Sequence, residues 1–233
     1  TRQSNSSYGL YAYGGSNPTL TGNTITGNDR SLYFDNALAI EAANGNTVTG
    51  NTFDAISVNG GTLTQSATWS SDVPYVLSGA LSIGVGATLT LSPGVVVKGQ
   101  GSTSKLVVNG TLLADGTPSA PIVFTSYKDD SYGGDTNGDS NGSSPAAGNW
   151  VGIGFASNST GNVLDNVVLR YAGYDGNFGS VSNFGRAAAL YSATSGLVVT
   201  SSDISDNSGT GVYLEGANAS ISGSTIQSNS SYG

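Results

Sequence analysis

Residues 189–233 read ALYSATSGLVVTSSDISDNSGTGVYLEGANASISGSTIQSNSSYG and contain one short pattern twice. ALYS at residues 189–192 returns 22 residues later as GVYL at residues 211–214. At the same spacing, SDISDN at residues 202–207 returns as STIQSN at residues 224–229. Self-similarity at a fixed period of this length is typical of solenoids, in which each repeat packs on the next. The stretch therefore predicts an elongated coil.

Short alternating runs within each repeat predict strands. Within each run of about three residues, side chains expected to face the core alternate with side chains expected to face outward, and Gly, Asn and Ser separate the runs. A period near 22 residues has room for three short strands joined by bends, stacked in parallel at about 4.8 Å per turn. We therefore predict an all-β fold, a parallel β-helix with turns of roughly 22 to 25 residues and protruding loops.

The alternation also predicts which side chains face the core. One core column is expected to contain Leu190, Val212, Leu10 and Leu32. The residues that follow them are expected to form an external ladder of rings: Tyr191, Tyr213, Tyr11 and Tyr33. Asparagines recur at one bend, at Asn207, Asn229, Asn28 and Asn51. We expect them to bond to the neighbouring turn and to each other, satisfying polar groups that a tight coil buries.

The motif QSNSSYG occurs at residues 3–9 and again at residues 227–233. This repetition predicts a tandem array whose partners are neighbouring identical repeats, joined head to tail. Residues 1–58 are then the turns that end a preceding repeat, and residues 59–233 form the following β-helix. Within it, residues 60–75 break the 22-residue register and carry the first Trp, so we predict that they cap an open stack of strands.

Composition excludes several classes of partner. The 233 residues include 7 Lys and Arg against 15 Asp and Glu, a net charge of −8, which argues against nucleic acid as a partner. No apolar run is long enough to span a bilayer, so this segment is not expected to insert into a membrane. There is no Cys, so disulfides are excluded, and no His, which removes the commonest general base.

Residues 127–149 leave the apolar pattern and are predicted to form a protruding acidic loop. The motif DTNGDSN at residues 135–141 places side-chain oxygens at every second position, like the start of an EF-hand calcium loop. The twelfth position is Ala146 and not an acid, so acids at the loop entrance are expected to complete the cage. We predict Ca²⁺ as a cofactor, with the ligands Asp129, Asp130, Asp135, Asn137, Asp139 and Asn141.

Two stretches carry a resemblance to a known family: GTLLADGTPSAPIVFTS at residues 110–126 and KDDSYGGDTNGDSNGSSPAAGNWVGIGF at residues 128–155. They resemble extracellular bacterial right-handed parallel β-helix proteins of the pectate-lyase-like superfold, over roughly residues 69–233. The resemblance implies a right-handed coil and a location that is secreted or on the bacterial cell surface. Lyases, hydrolases, adhesins and stalks share this superfold, so the function has to be argued from the site.

Two functions stay open on the sequence. The first is a structural or adhesive repeat module, stiffened by calcium, with polysaccharide as a possible partner. Its ligand platform would consist of the aromatic residues Tyr132, Tyr171, Tyr174, Phe178, Tyr191 and Tyr213. The second is a carbohydrate-active enzyme. Lyases of the resembling superfold use a Lys or Arg base, and the candidates here are Lys98, Lys105, Lys128, Arg170 and Arg186. None of them lies in a matching motif.

Overall fold

The computed structural model describes residues 5–16, 18–35, 42–175, 177–178 and 187–231. These residues form 25 strands and no helix, so none of them belongs to a helix that could cross a membrane. The strands are β1 (Asn5–Ala12), β2 (Leu20–Thr21), β3 (Thr24–Ile25), β4 (Asn28–Phe34), β5 (Ala42–Asn44), β6 (Thr47–Val48), β7 (Phe53–Val58), β8 (Gly61–Leu63), β9 (Ala67–Trp69), β10 (Tyr75–Leu77), β11 (Ala80–Ile83), β12 (Thr88–Leu91), β13 (Val96–Gly99), β14 (Gly101–Val108), β15 (Thr111–Asp115), β16 (Ile122–Ser126), β17 (Trp150–Phe155), β18 (Val163–Asp165), β19 (Val167–Arg170), β20 (Ala188–Ser192), β21 (Val198–Thr200), β22 (Asp203–Ser205), β23 (Thr210–Leu214), β24 (Ser220–Ser222) and β25 (Thr225–Gln227).

Every third strand pairs in parallel with the strand one turn away. The first sheet has nine strands in the order β1-β4-β7-β10-β13-β16-β19-β22-β25. The second sheet runs β8-β11-β14-β17-β20-β23 and the third β9-β12-β15-β18-β21-β24, while β2 pairs with β5 and β3 with β6. Three strands per turn, all stacked in parallel, make a right-handed parallel β-helix and confirm the predicted fold class.

The core is a set of columns that run along the inside of the coil. On the first sheet the strand register places one apolar residue of each turn opposite the next. In chain order this column is Leu10, Leu32, Ile56, Tyr75, Val97, Phe124, Leu169, Ile204 and Ile226. Its middle members are fully buried, and those at its ends are partly exposed. Stacking identical positions of successive turns is how such short strands share one continuous core.

The predicted asparagine bonding is confirmed at the bend after the first sheet. Asn207 is fully buried. Its Nδ2 donates to the Leu169 carbonyl at 3.2 Å and to Asn229 Oδ1 at 3.0 Å, and its Oδ1 accepts from the Ala172 amide at 2.8 Å. Asn28 donates to Asn51 Oδ1 at 2.8 Å. These two residues lie at the bend before the first sheet, after β3 and β6, so the predicted single row of asparagines occupies two different bends. The ladder thus satisfies buried backbone groups one turn away.

Residues 60–75 take a different place from the predicted cap. They form β8 and β9, and the direct pairing of β7 with β10 carries the first sheet past them without interruption. Trp69 is buried inside the coil, where its ring stacks on Tyr75 at a centroid distance of 4.0 Å. The reason is volume, because a large ring at this turn fills the core instead of covering an edge. β8 and β9 are the end strands of the second and third sheets.

The predicted core column divides between two faces of the coil. Leu10 and Leu32 pair across β1 and β4 of the first sheet, whereas Leu190 and Val212 pair across β20 and β23 of the second. All four residues belong to the core or pack against it. On both faces, the tyrosines that follow stack outside this core, at 5.1 Å for Tyr11 with Tyr33 and 5.9 Å for Tyr191 with Tyr213. The predicted ring stacking is therefore confirmed.

Two long connections begin at the same corner of the coil, one turn apart. The acidic loop joins β16 to β17, and the connection from residue 171 to residue 187 joins β19 to β20. They are bonded to each other, since the amides of Gly148 and Asn149 donate to the carbonyls of Ala172 and Tyr171 at 3.0 and 2.9 Å. This corner holds most of the residues that the sequence marked as functional.

Candidate metal centre

Lys98 on β13 lies beneath the acidic loop. Its neighbour Val97 faces the core, so Lys98 faces outward, yet the loop covers it completely. The Lys98 Nζ donates to the carbonyl oxygens of Asp129 at 2.9 Å and of Gly134 at 2.6 Å. Burial lowers the pKa of Lys98 to about 8, although nearby carboxylates favour its charged form. Lys98 therefore holds the loop against β13 through two of its backbone carbonyls, those of Asp129 and Gly134.

Asp129 forms an ion pair at the loop entrance. Its Oδ2 accepts from Arg170 Nε at 2.9 Å and from Nη2 at 2.6 Å. The hydroxyls of Thr125 and Ser131 also donate to this carboxylate. Burial opposes its ionisation, but the bonds from Ser131, Thr125 and Arg170 outweigh burial and hold the pKa of Asp129 below its usual value. Asp129, predicted as a calcium ligand, is thus placed in a saturated ion pair with Arg170.

Three other carboxylates converge further along the loop. Oxygens of Asp130, Asp135 and Asp139 all lie within 4.8 Å of one another. Partial burial raises the pKa of Asp130, and the charges of Asp135 and Asp139 raise it further, against the opposing effect of Lys98. Like charges this close repel unless a cation offsets them. Three of the six predicted ligands are therefore brought together, with the electrostatics of a cation site.

Two side-chain oxygens in this loop are buried without a hydrogen-bond partner. They are Oδ1 of Asp130 and Oδ1 of Asn137. The other end of the Asn137 amide is occupied, since its Nδ2 donates to Asp139 Oδ2 at 2.9 Å and to Ser143 Oγ at 3.0 Å. A buried acceptor left unpaired costs about 1 to 3 kcal/mol, so such atoms need an explanation. A hard cation would use both oxygens as ligands.

Asp135 shapes the turn that returns Asp139 to the cluster. Its Oδ1 accepts from the amide of Gly138 and its Oδ2 from the amide of Ser140, both at 2.7 Å. This is the local carboxylate-to-backbone bonding that aspartate favours in turns. Asn141, the last predicted ligand, is exposed on the turn that follows.

The acidic loop lies along the outside of the first sheet, towards the N-terminal turns. A Cβ at Gly133 would lie 3.0 Å from the Pro74 side chain, just before β10, and a Cβ at Gly138 would lie 3.0 Å from the Thr52 carbonyl, just before β7. With Lys98 on β13, the loop therefore touches three turns below its own origin at β16. A cation that rigidifies the loop would brace all four turns.

The six predicted platform residues do not form one open surface. Tyr132 and Tyr171 hold the Arg170 guanidinium over their rings, at 4.7 and 5.1 Å from the ring centroids. Such cation–π contacts keep the arginine oriented towards Asp129. Tyr132 and Tyr171 are therefore in contact with Arg170 and do not form part of an open ligand platform.

The other predicted platform residues lie along the second sheet. Phe178 and Tyr191 are buried in an outer apolar cluster with Val107 and Val151, and the Phe178 ring stacks on Tyr191 at 5.8 Å. Phe178 occupies the space that a side chain at position 154 would need, since a Cβ on Gly154 would be 2.6 Å from the Phe178 ring. Tyr213 is half-buried beside Tyr191, and Tyr174 is 54% exposed.

The residues predicted as candidates for a catalytic base are buried, half-buried or hydrogen-bonded to other groups, except for one that lies outside the described residues. Lys98 is buried, Arg170 pairs with Asp129, and Lys105 Nζ donates to the Asn177 carbonyl. Lys128 is half-buried at the loop entrance, and Arg186 lies outside the described residues. The sequence marked Lys98 only as a possible base. A single lysine in the apolar run VVVKG, at residues 95–99, is the signal that could have identified it as a buried anchor.

Comparison with known families yields two matches. The model of the pectate-lyase-like β-helix domain matches residues 61–215, about two thirds of the chain. The model named NosD, a periplasmic copper-binding protein, matches residues 1–84. The second match indicates an exported protein. No curated protein and no solved structure matches this chain.

Proposed function

Because the chain belongs to the pectate-lyase-like β-helix domain family, we propose that it is a structural module of an exported bacterial surface protein, braced by calcium. The coil supplies a rigid rod, and the acidic loop is the part that a cation holds in place. Copies would continue head to tail, as the repeated QSNSSYG suggests. The module is thus a stalk element whose loops lie on its surface.

One observation carries the calcium proposal. The convergent carboxylates of Asp130, Asp135 and Asp139 lie beside two buried oxygens that have no partner, one on Asp130 and one on Asn137. Carboxylate and amide oxygens in a flexible loop suit Ca²⁺, which takes six to eight such ligands and accepts irregular geometry. Backbone carbonyls and water would fill the remaining positions.

Copper does not fit this chain. The sequence contains no His, Cys or Met, which supply the imidazole and sulfur ligands of copper sites. The acidic loop offers only oxygen donors, and these suit hard cations. The similarity to the periplasmic copper-binding family therefore supports export and the β-helix, without carrying copper binding to this chain.

Titration calorimetry with Ca²⁺, combined with melting in the presence and absence of chelator, tests the proposal. Bound Ca²⁺ should raise the free energy of unfolding by about 2.7 kcal/mol when its concentration is 100 times the Kd. D135N should lose the heat of binding because it removes a carboxylate of the cluster. D115N is the matched control, since Asp115 is an exposed acid at the end of β15. Absence of heat in the wild type, or equal loss in both variants, would refute the site.

Adhesion to polysaccharide is the finer part of the proposal and rests on less. Tyr174 is the well-exposed ring among the six predicted platform residues, and it lies at the corner where both long loops emerge. An exposed ring on a rigid corner can stack on a sugar face. A glycan array with wild type and Y174A tests this, together with lyase and hydrolase assays on uronic-acid polymers. Turnover in those assays would favour the enzyme alternative.

A further inference from the structure

The described residues hold 25 strands, one more than eight complete turns of three strands. β1 and β25 therefore lie on the same face, at opposite ends of the nine-stranded first sheet. From this count we infer that successive copies in a continuous coil are rotated by one third of a turn, because each new copy begins on the second face, beside β23. The inference rests on the proposed head-to-tail array and specifies its geometry.

The last corner of the chain already turns towards the second face. Residues 206–209 connect β22 to β23, and residues 228–231 occupy the equivalent positions after β25, 22 residues later. Both corners begin with a residue of left-handed backbone, Asp206 at φ 58° and Ser228 at φ 53°. The amide of Ser231 donates to the Gly209 carbonyl at 2.9 Å. The two corners therefore run side by side, and the strand that follows residue 231 should lie on β23.

The environments of two glycines show which strand follows. A Cβ at Gly211, on β23, would lie 2.5 Å from Asn229 Nδ2 and 2.9 Å from Ile226 Cγ2. A Cβ at Gly9, on β1, would lie 2.8 Å from Asn28 Nδ2 and 2.9 Å from Ile25 Cγ2. β1 is thus packed against its corner as β23 is, although β1 is on the first face and β23 on the second.

This equivalence sets the register of the joint. The repeated motif puts residue 233 of one copy in the place of Gly9 of the next; residues 3–4 and 232–233 lie outside the described residues. Leu10 of the second copy then pairs with Val212 of the first, and Tyr11 with Tyr213. The joint would cover Tyr11, which is 48% exposed, and extend both the core column and the external tyrosine ladder.

The rotation decides how the acidic loops are displayed. One copy advances the coil by about 40 Å, from 25 strands at three per turn and about 4.8 Å per turn. Loops of successive copies would then point in three directions around the rod and return to the first direction at the fourth copy. A stalk built this way presents its loop and Tyr174 on every side, so contact with a ligand does not depend on the rotation of the stalk.

A tandem chain, in which residue 233 of one copy is followed directly by residue 10 of a second, tests the joint. The sequence has no Cys, so two introduced cysteines report one contact. Y213C in the first copy and Y11C in the second should oxidise to near completion. Parallel neighbours lie about 4.8 Å apart, within the roughly 4 to 7 Å between Cα atoms that a disulfide spans.

The control tandem carries Q227C in the first copy with the same Y11C in the second. Gln227 faces outward at the end of β25 on the first face, so this pair should remain reduced if the copies are rotated. Oxidation of the control pair would overturn the rotation. If neither pair oxidises and the tandem unfolds in two steps, the copies are separate units and the inference is wrong. Calcium binding by the single chain is measured independently, so its failure would leave this result unaffected.

Discussion

Replacing Lys98 by Met tests whether a buried ammonium supports the acidic loop. The substitution removes hydrogen bonds to the Asp129 and Gly134 carbonyls, at a cost of roughly 1.5 to 3 kcal/mol each. It also removes the penalty of burying a charge. The shift of the Lys98 pKa from 10.5 to about 8 corresponds to about 3 kcal/mol. The relieved penalty offsets between half and all of the lost hydrogen bonding, so K98M should lower the free energy of unfolding at neutral pH by about 0 to 3 kcal/mol.

The pH dependence of stability separates these effects. Unfolded Lys98 keeps its proton up to about pH 10.5, whereas the folded protein releases it near pH 8, so the unfolded state binds more protons between these values. The penalty is therefore complete below pH 8 and is relieved as the pH rises. The wild-type free energy of unfolding should increase by about 2 kcal/mol between about pH 7 and about pH 9.5, from this residue alone. K98M should lack this increase.

Urea denaturation in chelator at both pH values provides the measurement. K105M is the matched control, because the Lys105 ammonium donates to a backbone carbonyl but lies at the exposed surface. Tyrosine ionisation affects all three proteins alike, so the difference between variants isolates Lys98. If the wild-type free energy of unfolding, after subtraction of the K98M value, falls as the pH rises, the buried charge is refuted. An equal slope in wild type and K98M would refute it as well.

Two further substitutions test the coil itself. N207A should lower the free energy of unfolding by about 2 to 4 kcal/mol, because it leaves the Leu169 carbonyl and the Ala172 amide buried without these partners. N229A, at the exposed end of the ladder, should cost less because water can replace the Asn229 side chain. Equal losses of stability in urea denaturation would contradict the ladder. G173A should prevent folding or lower the free energy of unfolding by more than about 3 kcal/mol, because Gly173 has φ +87° and a Cβ there would lie 1.7 Å from a backbone oxygen. The control G86A, at φ +80° but in open space, should lower it by only about 1 to 2 kcal/mol. Circular dichroism melting compares the pair, and similar melting temperatures would show that the close approach at Gly173 is relieved.

The sequence predicted the coil because the coil is periodic. A repeat of 22 residues fixes where each strand returns, and alternation within a strand fixes which side chain enters the core. Leu32 and Leu190 were placed correctly in the core, and Asn207 in the ladder, from these two rules alone. Trp69 was not, because its position breaks the local register, and only the pairing of β7 with β10 shows that the coil continues there.

The candidate site could be predicted only in part. Asp135 and Asp139 are four residues apart in one tight turn of the acidic loop, so local backbone bonding is enough to bring their carboxylates together. Asp129 was assigned to the same site, but Arg170, 41 residues later in the chain, takes up its charge. No local pattern reports that pairing, since it depends on the loop after β16 reaching the end of β19, one turn away.

By itself, the sequence determined the parallel coil, the asparagine ladder and the oxygen-rich loop, because each arises from residues within about one period of one another. Only the tertiary structure decided that Lys98 is buried beneath that loop, that Phe178 packs against Gly154, and that Leu10 and Leu190 are on different faces. The physical reason is that these features depend on how many strands and how much loop separate distant residues. Periodicity fixes the shape of a turn, and the accumulated count of strands fixes the direction in which each side chain points.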